Sequence, residues 1–86
     1  MSTLETRVRD HFGKRLGAAL VSRIGTDEAL RDVGVDSVDV IAVLSNIEHD
    51  LGIALDDAAF AACDSIGGIV RVCAAAVDSQ SNVGSE

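Results

Sequence analysis

Apolar residues return every three or four positions in three separate stretches of this chain, and that spacing belongs to helices. Leu4, Val8, Phe12 and Leu16 form one stripe, and Ile41, Leu44, Ile47 and Leu51 a second. Ile66, Ile69/Val70, Cys73 and Val77 form a third. Each stripe predicts one buried helical face. Ser2-Thr3-Leu4-Glu5 has the pattern of a capping box, with Ser2 as cap, and opens a first helix from about Thr3 to about Leu20 that Gly13 and Gly17 weaken. The bases of that helix lie mostly off its stripe and are expected to stay wet. Residues 21–36 read as a loop holding one helical turn, started by Thr26-Asp27-Glu28 and anchored by Leu30 and Val33, with Gly34 free to bend sharply. A second long helix begins at Asp36 or Ser37 and ends near Asp50, with Gly52 as its C-cap. A short helix covers Asp56–Cys63 with Phe60 facing inward, and Asp64-Ser65 caps a last helix that Gly67 and Gly68 weaken by roughly 1 kcal/mol each relative to Ala. The expected fold is all-α: a small bundle of four helices, three longer and a short third, with a long first loop. Residues 1–78 form the domain, and 79–86, polar and without period, a flexible tail.

The chain has 86 residues, enough for one small domain with a thin core. That size leaves no room for both a deep substrate pocket and a catalytic apparatus. Only two residues are aromatic, Phe12 and Phe60, so Ala, Val, Leu and Ile must fill the core, which suits closely spaced helices. The apolar runs fall far short of the roughly 20 residues a membrane span requires, and acids and bases from Glu5 onward spoil any signal-peptide layout. A soluble, cytoplasmic protein is expected. Cys63 and Cys73 have neither metal nor redox spacing and read as small buried hydrophobes without a disulfide. His11 and His49 lack ligand-spaced partners and read as surface or boundary residues, so no metal site is expected.

Charge is divided along the chain. Residues 1–23 carry five bases against two acids, whereas residues 24–86 carry two bases against twelve acids. Such a surface repels nucleic acid and anionic lipid and attracts proteins with basic patches. From Asp32 to Asp64 there are eight acids and no Lys or Arg. Within that run lies Gly34-Val35-Asp36-Ser37-Val38-Asp39, which sets one hydroxyl at the mouth of a helix, between two acids and after a glycine. Taken alone, Ser37 or Asp36 would be an ordinary N-cap, and Asp39 an acid favoured by the helix dipole.

The motif resembles the attachment site of the acyl carrier protein family, whose signature is Gly-x-Asp-Ser-Leu. The likeness extends from the first helix to about Val77: Leu30-Arg31-Asp32-Val33 is similar to the family's approach to its serine, and Leu51-Gly52-Ile53 and Asp64-Ser65-Ile66 stand at the exit of its second helix and the start of its fourth. The resemblance implies a carrier, not an enzyme, with 4'-phosphopantetheine, derived from coenzyme A, attached at Ser37. It implies that Asp36 serves transferase recognition, and that Val38, Asp39 and Glu48 meet partner proteins. The implied partners are a phosphopantetheinyl transferase, an acyl-loading ligase or transferase, and ketosynthase or condensation-type enzymes, with the carrier itself a monomer. A helix N-terminus suits such a group, since it favours negative charge by about 0.3–1 kcal/mol at an exposed site. Exposed acids beside it cost little at ordinary salt, where charges are screened beyond roughly 8–10 Å.

The chain departs from the family in three places. Val38 replaces leucine, Ala42 and His49 stand where fatty-acid carriers have acids, and the short helix is neutral after Asp57. These changes point away from a housekeeping role toward a free-standing acyl carrier of specialised, polyketide-like metabolism, with fatty-acid biosynthesis as the other acyl pathway. An aminoacyl or peptidyl carrier of a non-ribosomal pathway is the alternative, and an unmodified acidic helical adaptor a third reading. A hydrolase is disfavoured. Ser37 lacks the Gly-x-Ser-x-Gly elbow, and His49, twelve residues further along the same helix, is about 18 Å away.

Overall fold

The structure, a computed structural model, describes residues 3–84, with side chains described for residues 3–78. Its elements are α1 (Leu4–Leu16), α2 (Ala18–Val21), a 3-10 turn (Leu30–Val33), α3 (Ser37–Leu51), α4 (Asp57–Ala61) and α5 (Ile66–Gly84). The described residues contain no strand. The all-α bundle with a long first loop and a short helix before the last is therefore the fold. α1 packs against both α3 and α5, and Phe12, Leu44, Ile47, Ile66, Ile69, Val8, Val43 and Cys73 are the largest fully buried side chains among the described residues.

The first helix differs from its expected course. Its cap is Thr3, whose Oγ1 accepts from the Thr6 N–H at 3.1 Å; Ser2 lies outside the described residues. Glu5 does not close a capping box, because its carboxylate accepts from Arg9 and Thr26 instead. Gly17, at φ +96°, breaks the helix outright and starts α2 one residue on. Arg9 is partly buried rather than wet. Its guanidinium donates to the Val21 and Ile24 carbonyls at 3.1 and 2.9 Å and to Thr26 Oγ1 at 3.3 Å, so it ties the loop after α2 back to α1.

The far side of that loop is stitched to the start of α5. The Gly67 N–H donates to the Thr26 carbonyl at 2.7 Å, and the Leu30 N–H to the Asp64 carbonyl at 2.9 Å. Here Gly67 and Gly68 have a use that propensity alone hides. A Cβ on Gly67 would sit 2.9 Å from Asp27 Oδ1, and one on Gly68 would sit 2.6 Å from the Ala62 carbonyl oxygen. The buried Ser65 caps this helix, its Oγ accepting from the Gly68 N–H at 3.0 Å.

Two stripe positions are corrected. Ile41 is 54% exposed, and Val43 and Leu44 fill the α3 face that meets the core. Val77 is likewise exposed, with Ala76 packed against the core in its place. α5 continues through Gly84, past the point where the apolar stripe ends and the tail was expected to begin; residues 85–86 lie outside the described residues.

Candidate functional site

The segment entering α3 is built as a rigid turn. Leu30 is buried and anchors the 3-10 turn, while Val33 is partly buried beside it. Gly34 ends the turn at φ +86°, a left-handed conformation that side-chain-bearing residues avoid, and its N–H returns to the Arg31 and Leu30 carbonyls. The Val35 N–H then donates to the Leu30 carbonyl at 3.0 Å, and its side chain is buried. Asp36 follows in extended backbone as the residue before the helix, and its carbonyl accepts from the Val40 N–H at 3.1 Å. The core thus grips the chain at Val35 and releases it to solvent at Asp36, Ser37 and Val38, all of which are exposed.

Ser37 is the first helical residue, not the cap. Asp36 takes the N-cap position, yet its carboxylate makes no capping hydrogen bond. The free N–H groups of the first turn are thereby left to whatever anion meets the helix start. Val38 is 63% exposed, the most open of the large apolar residues on the described surface. Ile41, one turn on, adds a second apolar side chain that periodicity had placed inside.

The other two acids assigned to partners by resemblance are already engaged within the chain. Asp39 Oδ1 accepts from Arg15 Nε at 2.7 Å, which joins the first turn of α3 to the last turn of α1. Glu48 Oε2 accepts from the Leu55 N–H at 2.7 Å, and its carbonyl accepts from the Gly52 and Ile53 N–H groups. Glu48 thus shapes the exit from α3, where Gly52 turns at φ +66°.

Ser37 also lines an open cleft of about 670 Å³ between α3, α4 and the 3-10 turn. Leu30, Val35, Val40, Leu44 and Phe60 make its walls apolar, and Ile41 stands among its lining residues. Arg31, Asp57 and Asp64 are its charged members. Sequence reasoning placed Phe60 inward but missed that it is only half-buried and faces this cleft. Cys63 lines the cleft too. Its thiol donates to the Ala59 carbonyl, and burial pushes its pKa up to about 11, so it stays a protonated, unreactive wall.

His11 is held far from Ser37. Its Nε2 lies 3.1 Å from Asp50 Oδ2, thirteen residues along α3 from the serine, a separation of roughly 20 Å. Neither histidine therefore reaches the hydroxyl, and a serine–histidine pair is not built here. Among the described residues, no group of three or more His, Cys, Asp or Glu side chains is arranged to hold a metal. No helix among them is long and apolar enough to cross a membrane.

The chain matches the protein family described as phosphopantetheine attachment site over residues 6–73. That span runs from the first turn of α1 to the middle of α5 and contains the Ser37 turn, the cleft and the loop that holds them together. No solved structure matches the chain.

Proposed function

The chain belongs to the phosphopantetheine attachment family, and on that premise we propose that it is an acyl carrier whose arm is joined to the Ser37 oxygen. The observation that carries this reading is an exposed hydroxyl at the start of α3, clamped from behind by buried Val35 and opening beside an apolar cleft. A 4'-phosphopantetheine group supplies a flexible arm ending in a thiol, on which a carrier holds its cargo as a thioester. Ser37 gives the oxygen, and the unsatisfied N–H groups of the first turn favour the negative phosphodiester. Asp36, exposed and unused as a cap, is available to the transferase that reads the turn. Val38, with Ile41 beyond it, offers partners an apolar contact next to the arm. Asp39 and Glu48 are the weaker candidates for partner contact, since each carboxylate already accepts a hydrogen bond inside the chain.

The apolar walls of the cleft support an acyl cargo over an aminoacyl one, because burying an ammonium among such side chains is costly without a buried partner. Asp57 and Asp64 in the cleft lining are the observation that favours the aminoacyl alternative, in a non-ribosomal pathway. The neutral helix after Asp57 and the exchanges at Val38, Ala42 and His49 support specialised, polyketide-like metabolism. The corresponding partners are a phosphopantetheinyl transferase, a loading ligase or transferase, and ketosynthase or condensation-type enzymes. We place its work in the cytoplasm, in keeping with two buried free thiols. The test is the mass of the protein purified from its native source. The reading predicts one phosphopantetheine arm bearing a thioester that hydroxylamine releases as an acyl hydroxamate. Release of an amino acid hydroxamate selects the alternative, and an unmodified chain supports a plain helical adaptor.

A further inference from the structure

The two acids that flank Ser37 are treated differently by the fold. Asp36, at the N-cap position, is exposed and makes no capping bond, whereas Asp39, in the first turn of α3, is held by Arg15 at 2.7 Å. Arg15 comes from the last turn of α1, twenty-four residues earlier, while Arg31 is the base that lines the Ser37 cleft. An arriving coenzyme A brings a pyrophosphate to Ser37. An uncompensated carboxylate in the same helical turn opposes that approach, through water at short range and less so as salt rises. We propose that Arg15 is a positioning residue for modification at Ser37: it neutralises Asp39 and pins the first turn of α3 to α1. Asp39 on this account acts inside the chain and is not a docking acid for the transferase. The inference rests on Ser37 being the attachment point.

In the step concerned, Ser37 Oγ forms a bond to the phosphorus that carries the pantetheine. The bond from that phosphorus to the adenosine bisphosphate oxygen breaks, adenosine bisphosphate leaves with the electron pair, and the hydroxyl proton passes to the transferase or to solvent. Arg15 touches none of these atoms, so its effect must travel through Asp39.

The experiment measures kcat/KM for arm transfer to the full chain by a broad-specificity phosphopantetheinyl transferase with coenzyme A and Mg²⁺, at low and high salt. The variants are Arg15→Gln, Arg15→Lys, Asp39→Asn and the Arg15→Gln/Asp39→Asn pair, with circular dichroism as the check on folding. Arg15→Gln is expected to lose roughly two- to fivefold at low salt, the size of one unit charge acting through water at about 4–8 Å. The loss shrinks at high salt, Arg15→Lys recovers most of it, and the double variant returns to the Asp39→Asn level. An Arg15→Gln variant that reacts as fast as wild type or faster overturns the inference, because a freed Asp39 would then be neutral or helpful to the transferase. A loss that persists in full in the double variant overturns it as well, since Arg15 would then act without Asp39. Ser37→Ala separates the two levels. A wild-type chain that takes no arm, or a Ser37→Ala chain that does, fails the functional reading itself, whereas a normally labelled wild type with indifferent Arg15 variants fails only this inference.

Discussion

Single atoms decide how this chain treats its two sulfurs and its two adjacent glycines. Burial raises the pKa of both Cys63 and Cys73, the former to about 11, so at neutral pH neither presents a thiolate. A disulfide-exchange reagent at pH 8 is expected to leave the native protein unmodified and to titrate both cysteines once urea is added; rapid labelling of the folded protein contradicts the described packing. At Gly68, Ala would gain roughly 1 kcal/mol in helix propensity, yet its Cβ would stand 2.6 Å from the Ala62 carbonyl oxygen. Gly68→Ala is therefore expected to lower stability by about 1–3 kcal/mol in urea unfolding; an unchanged or raised midpoint shows that the end of α4 yields. The glycine pair shows where sequence reasoning runs out at this scale. Composition identifies a weak helix start, but a close approach from the loop at Thr26 and from Ala62 involves residues that no local pattern links.

The elements explain why the hydroxyl sits where it does. α3 starts at Ser37 because Gly34 turns left-handed, Val35 is drawn into the core and Asp36 stays extended, and each of these steps is visible in the residue types. The α3 stripe was legible to within one position. Leu44 and Ile47 are fully buried as the spacing requires, but Ile41 faces outward toward the cleft and Val43 takes its place. A stripe of threes and fours fixes a face only to within one neighbouring row, and the choice between Ile41 and Val43 depends on where α1 and α4 lie. The loop before α3 was harder to read, because its restraints are long-range. Arg9 binds the Val21 and Ile24 carbonyls and Thr26, while the start of α5 binds Thr26 and Leu30. Arg9→Ala strips two loop carbonyls of their donor and is expected to cost about 1–3 kcal/mol. Hydrogen exchange should show the effect first in residues 21–30; protection unchanged there contradicts the role given to Arg9.

Across the whole molecule, part of the uneven division of charge along the chain is met by ion pairs, most of them between α1 and α3. Arg7 and His11 meet Asp50 on the same carboxylate oxygen, Arg15 meets Asp39, and Arg9 meets Glu5. The basic first helix is thus a counterpart to acids of α3, which total charge could not reveal. The hydrogen bond from His11, with Arg7 adding to it, holds the Asp50 carboxyl below its usual range, and Arg9 and Thr26 do the same for Glu5. A carboxyl whose pKa is depressed in the folded state lends stability above the ordinary carboxylate range and loses it as pH falls through the folded-state value. The urea midpoint is accordingly expected to drop as pH is lowered through that range and below it. In Asp50→Asn the midpoint at neutral pH is lower and the acid-side fall shallower; an identical acid profile in the variant contradicts the coupling of α1 to α3 through Asp50.

The central claim concerns the oxygen at the start of α3, and intact-mass measurement after incubation with coenzyme A, Mg²⁺ and a phosphopantetheinyl transferase addresses it most directly. The account predicts that the wild-type chain gains one phosphopantetheine, that peptide mapping places it on Ser37, and that Ser37→Ala gains none while keeping its helical spectrum. A wild-type chain that never gains the arm, or an arm found on the Ser37→Ala chain, would contradict it.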